Sequence, residues 1–338
     1  IILPNGEAYS FSYDGDQKIN QIMDSAGNAK IFHYDSRDNL IREELLDTSA
    51  ALHYEISRTF DRLDQINSVT TINGVTAYST NNIGQLKQTT DAFVENDLYE
   101  YDSLSRLLKH TDALINDTSY TYNNHDKLLS VTDAEGSLTT YDYDDFGRVT
   151  RQESPASGIS SYQYDSADNM ITSTDARNIQ TQYQYDNANR ITQITYPNAE
   201  NDISFTYNNM GLPNTATYGS DQSQYVYNGF NELTQKTDII NGQNFTINYE
   251  YNLNGKVSQL TYPSGRAIDY TFNSIGLIET ITTTYDGITQ TLASNINYLP
   301  FGGITDLIYG NGKKLTQTFN KNYQITNKAI DNVLDKAY

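Results

Sequence analysis

Four histidines, 42 acidic residues and 29 tyrosines are the groups in this 338-residue sequence with which chemistry could be done. His33, His53, His110 and His125 could serve as general bases, but none stands at a spacing that supplies a nucleophile or a metal partner. His33 lies between two aromatics, which reads as a strand position facing away from the rings. Carboxylates are so abundant that some pair will fall near the ~5.5 Å of a retaining glycosidase by chance, so their number assigns no site. Asp and Asn crowd the turns, where calcium could be held. The EF-hand loop and the Gly-Gly-x-Gly-x-Asp repeat are both absent, however, and these residues favour turns simply by bonding their own backbone. Arg106, Arg148, Arg190, Lys127 and Lys256 each stand five residues past an aromatic, where they could form a basic ladder or pair with a neighbouring Asp; pairing is the favoured reading. Columns of tyrosine could stack on sugars. They could equally pair across strands, and their recurrence in every repeat favours that second role, because a fold needs all of them and a site only a few. No cofactor and no metal is expected.

The elements that must position these groups are set by a repeat. An aromatic followed by Asp or Asn recurs at Tyr13, Tyr34, Phe60, Tyr101, Tyr122, Tyr143, Tyr164, Tyr185, Tyr207, Tyr227, Tyr251, Phe272 and Phe319, with degenerate anchors at Thr80 and Tyr298. The intervals run from 20 to 26 residues and are most often 21. A second aromatic usually precedes the anchor by two, as in Tyr99–Tyr101, Tyr120–Tyr122, Tyr141–Tyr143, Tyr162–Tyr164 and Tyr183–Tyr185, with a polar residue between. Period-two alternation of this kind reads as a strand with one buried face. Six residues after the anchor comes an aliphatic column that includes Leu107, Leu128, Val149, Met170 and Ile191 and is broken at Pro213. Between anchor and aliphatic lies turn chemistry, as in Asp144–Asp145–Phe146–Gly147. A Thr-rich second strand follows. Its apolar residues at plus six and plus nine (Ile22, Val69, Val131, Ile194, Leu260) do not alternate cleanly, so it carries either a bulge or a change of facing.

Each unit is therefore strand, turn, strand, turn, and residues 1–338 read as one array of about fifteen hairpins of ~21 residues. About thirty strands at roughly 4.8 Å each would make an unrolled sheet on the order of 140 Å wide. Twist forbids so wide a flat sheet, so it must curl or spiral. Aliphatic residues are scarce and Trp is absent, which suits a thin wall of half-wet tyrosine rings better than a solid core.

The net charge of −20 opposes binding to nucleic acid or to anionic membrane surfaces, both of which recruit Lys and Arg. The absence of Cys excludes disulfides, thiol catalysis and thiolate metal sites. No apolar run approaches the ~18 residues of a bilayer span, so membrane insertion is not expected, and no targeting segment is visible. Adding 21 to Phe319 places the next anchor at 340, so Tyr338 reads as the first aromatic of a hairpin that continues in a longer chain.

The blocks Tyr141–Asp142–Tyr143–Asp144–Asp145–Phe146–Gly147–Arg148–Val149 and Tyr99–Glu100–Tyr101–Asp102–Ser103–Leu104–Ser105–Arg106–Leu107 resemble the aromatic–x–Tyr–Asp–x–x–Gly–Arg–Leu motif of the RHS/YD-repeat family. Tyr162, Tyr164 and Asp165, and Tyr183, Tyr185, Asp186, Arg190 and Ile191, continue it, as do Tyr122 and Leu128. Leu299–Pro300–Phe301–Gly302–Gly303 is similar to a variant unit of bacterial members. The resemblance covers essentially the whole chain. It implies an all-β fold of tandem antiparallel hairpins forming a curved or spiralling β-sheet shell, as in bacterial polymorphic toxins, the B/C components of insecticidal Tc complexes and teneurins. It further implies a secreted or surface-located scaffold that encloses or displays the rest of the same polypeptide, namely a downstream core and a toxic C-terminal domain. An enzyme is not implied, and the family's autoproteolytic Asp-Pro-x-Gly pair is missing, since the sequence has no Asp–Pro step. A carbohydrate-binding surface module is the alternative, and a polysaccharide-active enzyme a third reading.

Overall fold

The computed structural model describes residues 1–4, 6–331 and 334–337, and among them the regular structure is strand apart from one 3-10 turn at Ala199–Asn201. Tyr338, with the hairpin expected to start there, lies outside the described residues. The chain is all-β, and hairpin follows hairpin with antiparallel pairing.

In the Tyr143 unit the first turn and the return turn that precedes it are built the same way. In the Tyr143 hairpin, strands Leu138–Tyr143 and Val149–Ser154 are joined by a turn in which Asp144 Oδ1 accepts the backbone N–H groups of Phe146 and Arg148, both at 3.0 Å. The Gly147 N–H donates to the Asp144 carbonyl at 2.9 Å, and Gly147 takes φ +76°. The return turn repeats this with Asp133, whose Oδ1 accepts from Glu135 and Ser137, and with Gly136 at φ +82°. A carboxylate one residue past the strand thus satisfies the amides that the tight turn would orphan, and the fourth turn residue goes left-handed to close it.

The ambiguity of the second strand resolves as a bulge. Tyr143 pairs with Val149, Asp142 with Arg151 and Tyr141 with Gln152, leaving Thr150 without a partner opposite. Likewise Tyr122 pairs with Leu128 and Tyr120 with Val131, and Tyr185 with Ile191 and Tyr183 with Ile194. The extra residue at plus seven shifts the pleat by one, so plus six and plus nine both come to the face of the aromatic pair. Even Pro213 keeps its place opposite Tyr207, where no N–H is needed from it.

The chain divides into two compact units. Unit 1 comprises Ile1–Ser79, Thr90–Val94 and Ile247–Tyr338, and unit 2 comprises Thr80–Thr89 and Glu95–Thr246. In unit 2, from Asn96–Tyr101 through Leu233–Ile240, each strand pairs antiparallel with its sequence neighbours. Unit 1 contains every buried apolar side chain among the described residues: Ala29, Leu45, Ala293, Ile296, Leu299, Pro300, Leu307 and Leu315. Four of them, Ala293, Ile296, Leu307 and Leu315, cluster beneath Ile278, Ile281, Tyr298 and Ile304.

Within unit 1, hairpins distant in sequence meet turn to turn. Glu7 is buried, and its carboxylate accepts from Lys256 Nζ at 3.0 and 3.1 Å and from Asn254 Nδ2 at 2.7 Å. The Ser25 hydroxyl donates to the Ser274 carbonyl at 2.8 Å, and Tyr54 meets Tyr323 edge to face at 5.8 Å between centroids. Burial pushes the Tyr323 hydroxyl up to about 12.

Candidate functional site

The residues with the most chemistry in them form a ladder that climbs from each hairpin to the next. Arg148 grips Asp144 of its own turn through Nε at 2.7 Å and Nη2 at 2.7 Å. Its Nη1 crosses to the following hairpin, donating to the Asp165 carbonyl at 2.9 Å and to Asp168 Oδ1 at 2.7 Å, while the guanidinium lies over the Tyr164 ring at 4.7 Å. Arg106 repeats every contact two hairpins earlier: Asp102 through Nε at 2.7 Å, the Asn123 carbonyl at 3.1 Å, Asp126 at 2.8 Å and the Tyr122 ring at 4.9 Å. Arg190 holds Asp186 at 2.6 and 2.8 Å and lies 4.3 Å from the centre of the Tyr207 ring. The planar fork suits this position because one guanidinium satisfies a carboxylate, a carbonyl and a ring face at once.

Between Arg148 and Arg190, the Tyr164 hairpin carries Asn169 at the same place. Its amide donates to Asp165 Oδ2 at 2.9 Å and to Asn189 Oδ1 of the next turn at 3.0 Å. Lys256 does the corresponding work in unit 1 by donating to the Gly276 carbonyl at 2.8 Å.

A second rung runs the other way. The hydroxyls of several tyrosine anchors donate to the carbonyl of the plus-six residue one hairpin back: Tyr122 to Leu107 at 2.8 Å, Tyr143 to Leu128 at 2.7 Å, Tyr164 to Val149 at 2.8 Å, and Tyr185 to Met170 at 2.8 Å. Tyr207 to Ile191 and Tyr298 to Ile278 continue it. The bulge exposes these carbonyls to a side-chain donor, and buried polar groups need a partner. Burial pushes the hydroxyls of Tyr101, Tyr122, Tyr143, Tyr164 and Tyr185 above their usual range. The carboxyls of Asp102, Asp144, Asp165 and Asp186 are held below theirs. At Asp102 and Asp144 the largest favourable cause is the backbone N–H at plus five, at Asp165 the Asn169 amide, and at Asp186 the Arg190 guanidinium.

Of the residues singled out in the sequence, Tyr122, Tyr143, Tyr164, Tyr185, Asp102, Asp144, Asp165, Asp186, Arg106, Arg148 and Arg190 all enter the ladder. Tyr141, Tyr162 and Tyr183 sit one pleat earlier, opposite Gln152, Ser173 and Ile194. Leu107, Leu128, Val149 and Ile191 pair with the anchors and lend their carbonyls. Gly147 provides the left-handed corner, above Lys127.

The histidines are scattered. His33 Nε2 lies 2.7 Å from Glu44, and His53 Nε2 lies 2.8 Å from Asp47. His110 stacks on Tyr99 at 4.9 Å, while His125 is exposed in a turn. Among the described residues, no three of His, Asp and Glu gather as a metal-binding group. An open groove of about 550 Å³ between the Tyr122 and Tyr143 hairpins is lined by His125, Lys127, Tyr141, Asp144 and Phe146, but its floor residues Tyr143 and Asp144 are already committed to the ladder.

The hydroxyl rung and the Glu7–Lys256 contact are not foreseen from sequence. The preference for Tyr over Phe at the anchors was the available signal for the first. Nothing local announces a pair 249 residues apart.

Residues 122–159, 143–179 and 164–200 match the RHS repeat. No curated protein matches the chain. In the crystal structure of TcdB2-TccC3-Cdc42, a chain superposes with a TM-score of 0.78 at 12% identity, over 98% of this chain and 20% of that one. In the TcdB2-TccC3 crystal structure the values are 0.76 and 12%, over 96% and 20%. In the Photorhabdus luminescens Tc holotoxin pore carrying a TccC3 mutation they are 0.75 and 12%, over 96% and 19%. This chain spans about a fifth of the length of the chains it matches.

Proposed function

Since the chain belongs to the RHS/YD-repeat family, we propose that it is a wall segment of a secreted or surface-located bacterial shell that encloses or displays a further polypeptide, and that it carries out no reaction itself. The observation that carries this reading is where the reactive side chains are spent. The hydroxyls of Tyr143 and Tyr164 and the guanidinium groups of Arg106 and Arg148 are bonded to the neighbouring hairpins, as catalytic or ligand-binding groups would not be. A ladder of this kind gives a thin sheet lateral strength without a thick core. The enclosed partner would be another part of the same polypeptide, such as a toxic C-terminal domain.

The test uses the natural polypeptide that carries these repeats. A segment outside the repeats should co-purify with the array after limited proteolysis and become digestible only when the array is unfolded. If every segment outside the repeats is digested at once, the enclosing role fails. Saturable binding on a glycan array, lost on Tyr→Ala changes in one hairpin and kept after the same changes in others, would establish the carbohydrate-binding module in its place.

A further inference from the structure

We propose that the first-turn rim of unit 2 is a docking edge, that its occupant is the return-turn rim of another run of the same hairpins, and that a second copy of this chain supplies that run in solution. The proposal is independent of what the wall encloses.

It begins with one position in the repeat. The residue three past the anchor is the tip of the first turn, a place where polar residues are the rule. In unit 2 it is Ile83, Leu104, His125, Phe146, Ala167, Ala188, Met210 and Phe230, and the five large apolar ones are all strongly exposed, with Phe146 at 81% and Phe230 at 85%. A single exposed apolar side chain needs no explanation. Large ones recurring at the same position of the repeat are different, because antiparallel hairpins in sequence place all their first turns along one edge of the sheet.

Unit 1 shows what such a rim looks like when it is covered. Of its four C-terminal hairpins, three carry Asn254, Ile275 and Asn322 at the same position, all half-buried, while Phe301 of the Tyr298 hairpin is 41% exposed. What covers this rim is the opposite rim of the N-terminal hairpins. Ser274 of a first turn accepts from Ser25 of a return turn, Asn254 and Lys256 reach Glu7, and Asn73 of a return turn reaches Gln324. Tyr323 of a first turn stands against Tyr54, in the strand that follows a return turn. By contrast Leu63, in an N-terminal first turn of unit 1, is 72% exposed. The hydrogen bonds that Ser25, Asn73, Asn254 and Lys256 make between distant hairpins all join a first turn to a return turn.

Unit 2 carries both halves of that pairing without a cover. Its return-turn rim exposes Leu114 and Ile115, so apolar tips are available on each side. A contact between unlike rims is heterologous, and copies joined in this way add head to tail rather than closing as a dimer. Each copy also carries a net charge of −20, so the association works against long-range repulsion and should strengthen as salt screens it.

Sedimentation velocity of the 338-residue chain should show a mean mass that rises continuously with concentration and rises further with added salt. The triple variant Phe146→Ser, Met210→Ser, Phe230→Ser changes only exposed turn tips and should keep the far-ultraviolet spectrum of the parent while associating at least about tenfold more weakly. A parent that stays monomeric throughout, or a triple variant that associates equally well, overturns the proposal. The chain has no cysteine, so pairing can be read directly. When chains carrying Phe230→Cys are mixed with chains carrying Leu114→Cys, a bifunctional maleimide should give mainly the mixed product. A predominance of like-with-like products would overturn the assignment of unlike rims.

Discussion

Around Leu307 and Leu315, unit 1 buries apolar side chains to 7% and 6% exposure and packs Ile278, Ile281 and Tyr298 against them. Across unit 2 no apolar side chain is buried to that extent, and the Arg106, Arg148 and Arg190 clamps run beside the tyrosine hydroxyls instead. The sequence of the hairpin explains the exchange. In the Tyr298 unit, Leu299 replaces the turn Asp and Gly303 stands where the cation would be, so neither the Asx turn nor the clamp can form. Instead, Leu299 is buried and Phe301 takes the left-handed φ of +53°. The Phe anchors, which lack the hydroxyl, are Phe60, Phe272 and Phe319, all in unit 1. The same hairpin can thus lose the Asx turn and the cation clamp to an aliphatic cluster while its Tyr298 hydroxyl keeps the rung to Ile278.

The largest test of that contrast is in the cluster. Leu307→Ala should cost about 2–5 kcal/mol, since it empties a buried site that strands on both sides constrain. Leu128→Ala, at a half-buried position in unit 2, should cost about 1–2 kcal/mol because much of that side chain is already wet. Local hydrogen exchange followed by mass spectrometry separates the two units. Equal losses at the two sites would erase the distinction.

Acid should sharpen it. The carboxyls of Asp102, Asp144, Asp165 and Asp186 are depressed in the folded state by the bonds they accept, first the backbone or side-chain donors of their own turns. Depressed groups contribute stability that is present above the unfolded value of about 3.9 and lost as pH falls through the folded values. Exchange protection in residues 101–195 should therefore fall below about pH 4, ahead of the strands that carry Leu307 and Leu315. At the alkaline end the anchor hydroxyls are raised by burial, so their contribution is complete below about pH 10 and disappears as pH climbs through the folded values. Simultaneous loss of protection in both units on acidification would count against the ladder as the support of unit 2.

How much of this was readable in the residues depends on whether a side chain or a backbone register carries the information. The anchor period, the aromatic pairs and the turn carboxylates are side-chain patterns, and they locate the strands around Tyr101, Tyr122, Tyr143, Tyr164 and Tyr185. The residue at plus seven is different. Leu108, Leu129, Thr150 and Thr192 share no chemistry, because a bulge residue is defined by the hydrogen bonds it omits and not by what it packs against. The hydroxyl rung stayed hidden for the same reason, since its acceptor is a carbonyl that any residue type can offer. The Glu7–Lys256 contact is unreadable locally because its partners are brought together only by the accumulated path of the hairpins between them.

Removing a single rung is a smaller perturbation. Tyr143→Phe and Tyr164→Phe should each cost about 0.5–1.5 kcal/mol, the net worth of one hydrogen bond together with the orphaned carbonyl of Leu128 or Val149. The double variant should cost the sum if neighbouring rungs act independently and more than the sum if they support each other, which a double-mutant cycle on urea midpoints measures. Phe272→Ala would remove ring packing but no hydroxyl, so at that anchor there is no rung to weaken by the same chemistry.

The smallest effect concerns the corner of the turn, and here the two directions of change should have opposite signs. Ser105 holds φ +69° at the position where the Tyr143 hairpin has Gly147 at +76°. A side chain in the left-handed region costs about 1–2 kcal/mol, and a glycine there gives back about 0.5–1 kcal/mol through the extra freedom of the unfolded chain. Ser105→Gly should therefore stabilise by about 0.5–1 kcal/mol. Gly147→Ala should destabilise by about 1 kcal/mol, nearly all of it from φ, because the new Cβ would meet only the flexible end of Lys127 at 2.7 Å. Both changes leave Asp102, Asp144 and the two arginines untouched, so urea midpoints moving in opposite directions would show that unit 2 depends on turn geometry as well as on the bonds the turns carry. If Ser105→Gly is neutral or destabilising while Gly147→Ala is harmless, the corner is held by the carboxylate and the clamp alone, and the left-handed residue is a consequence of the ladder and not one of its supports.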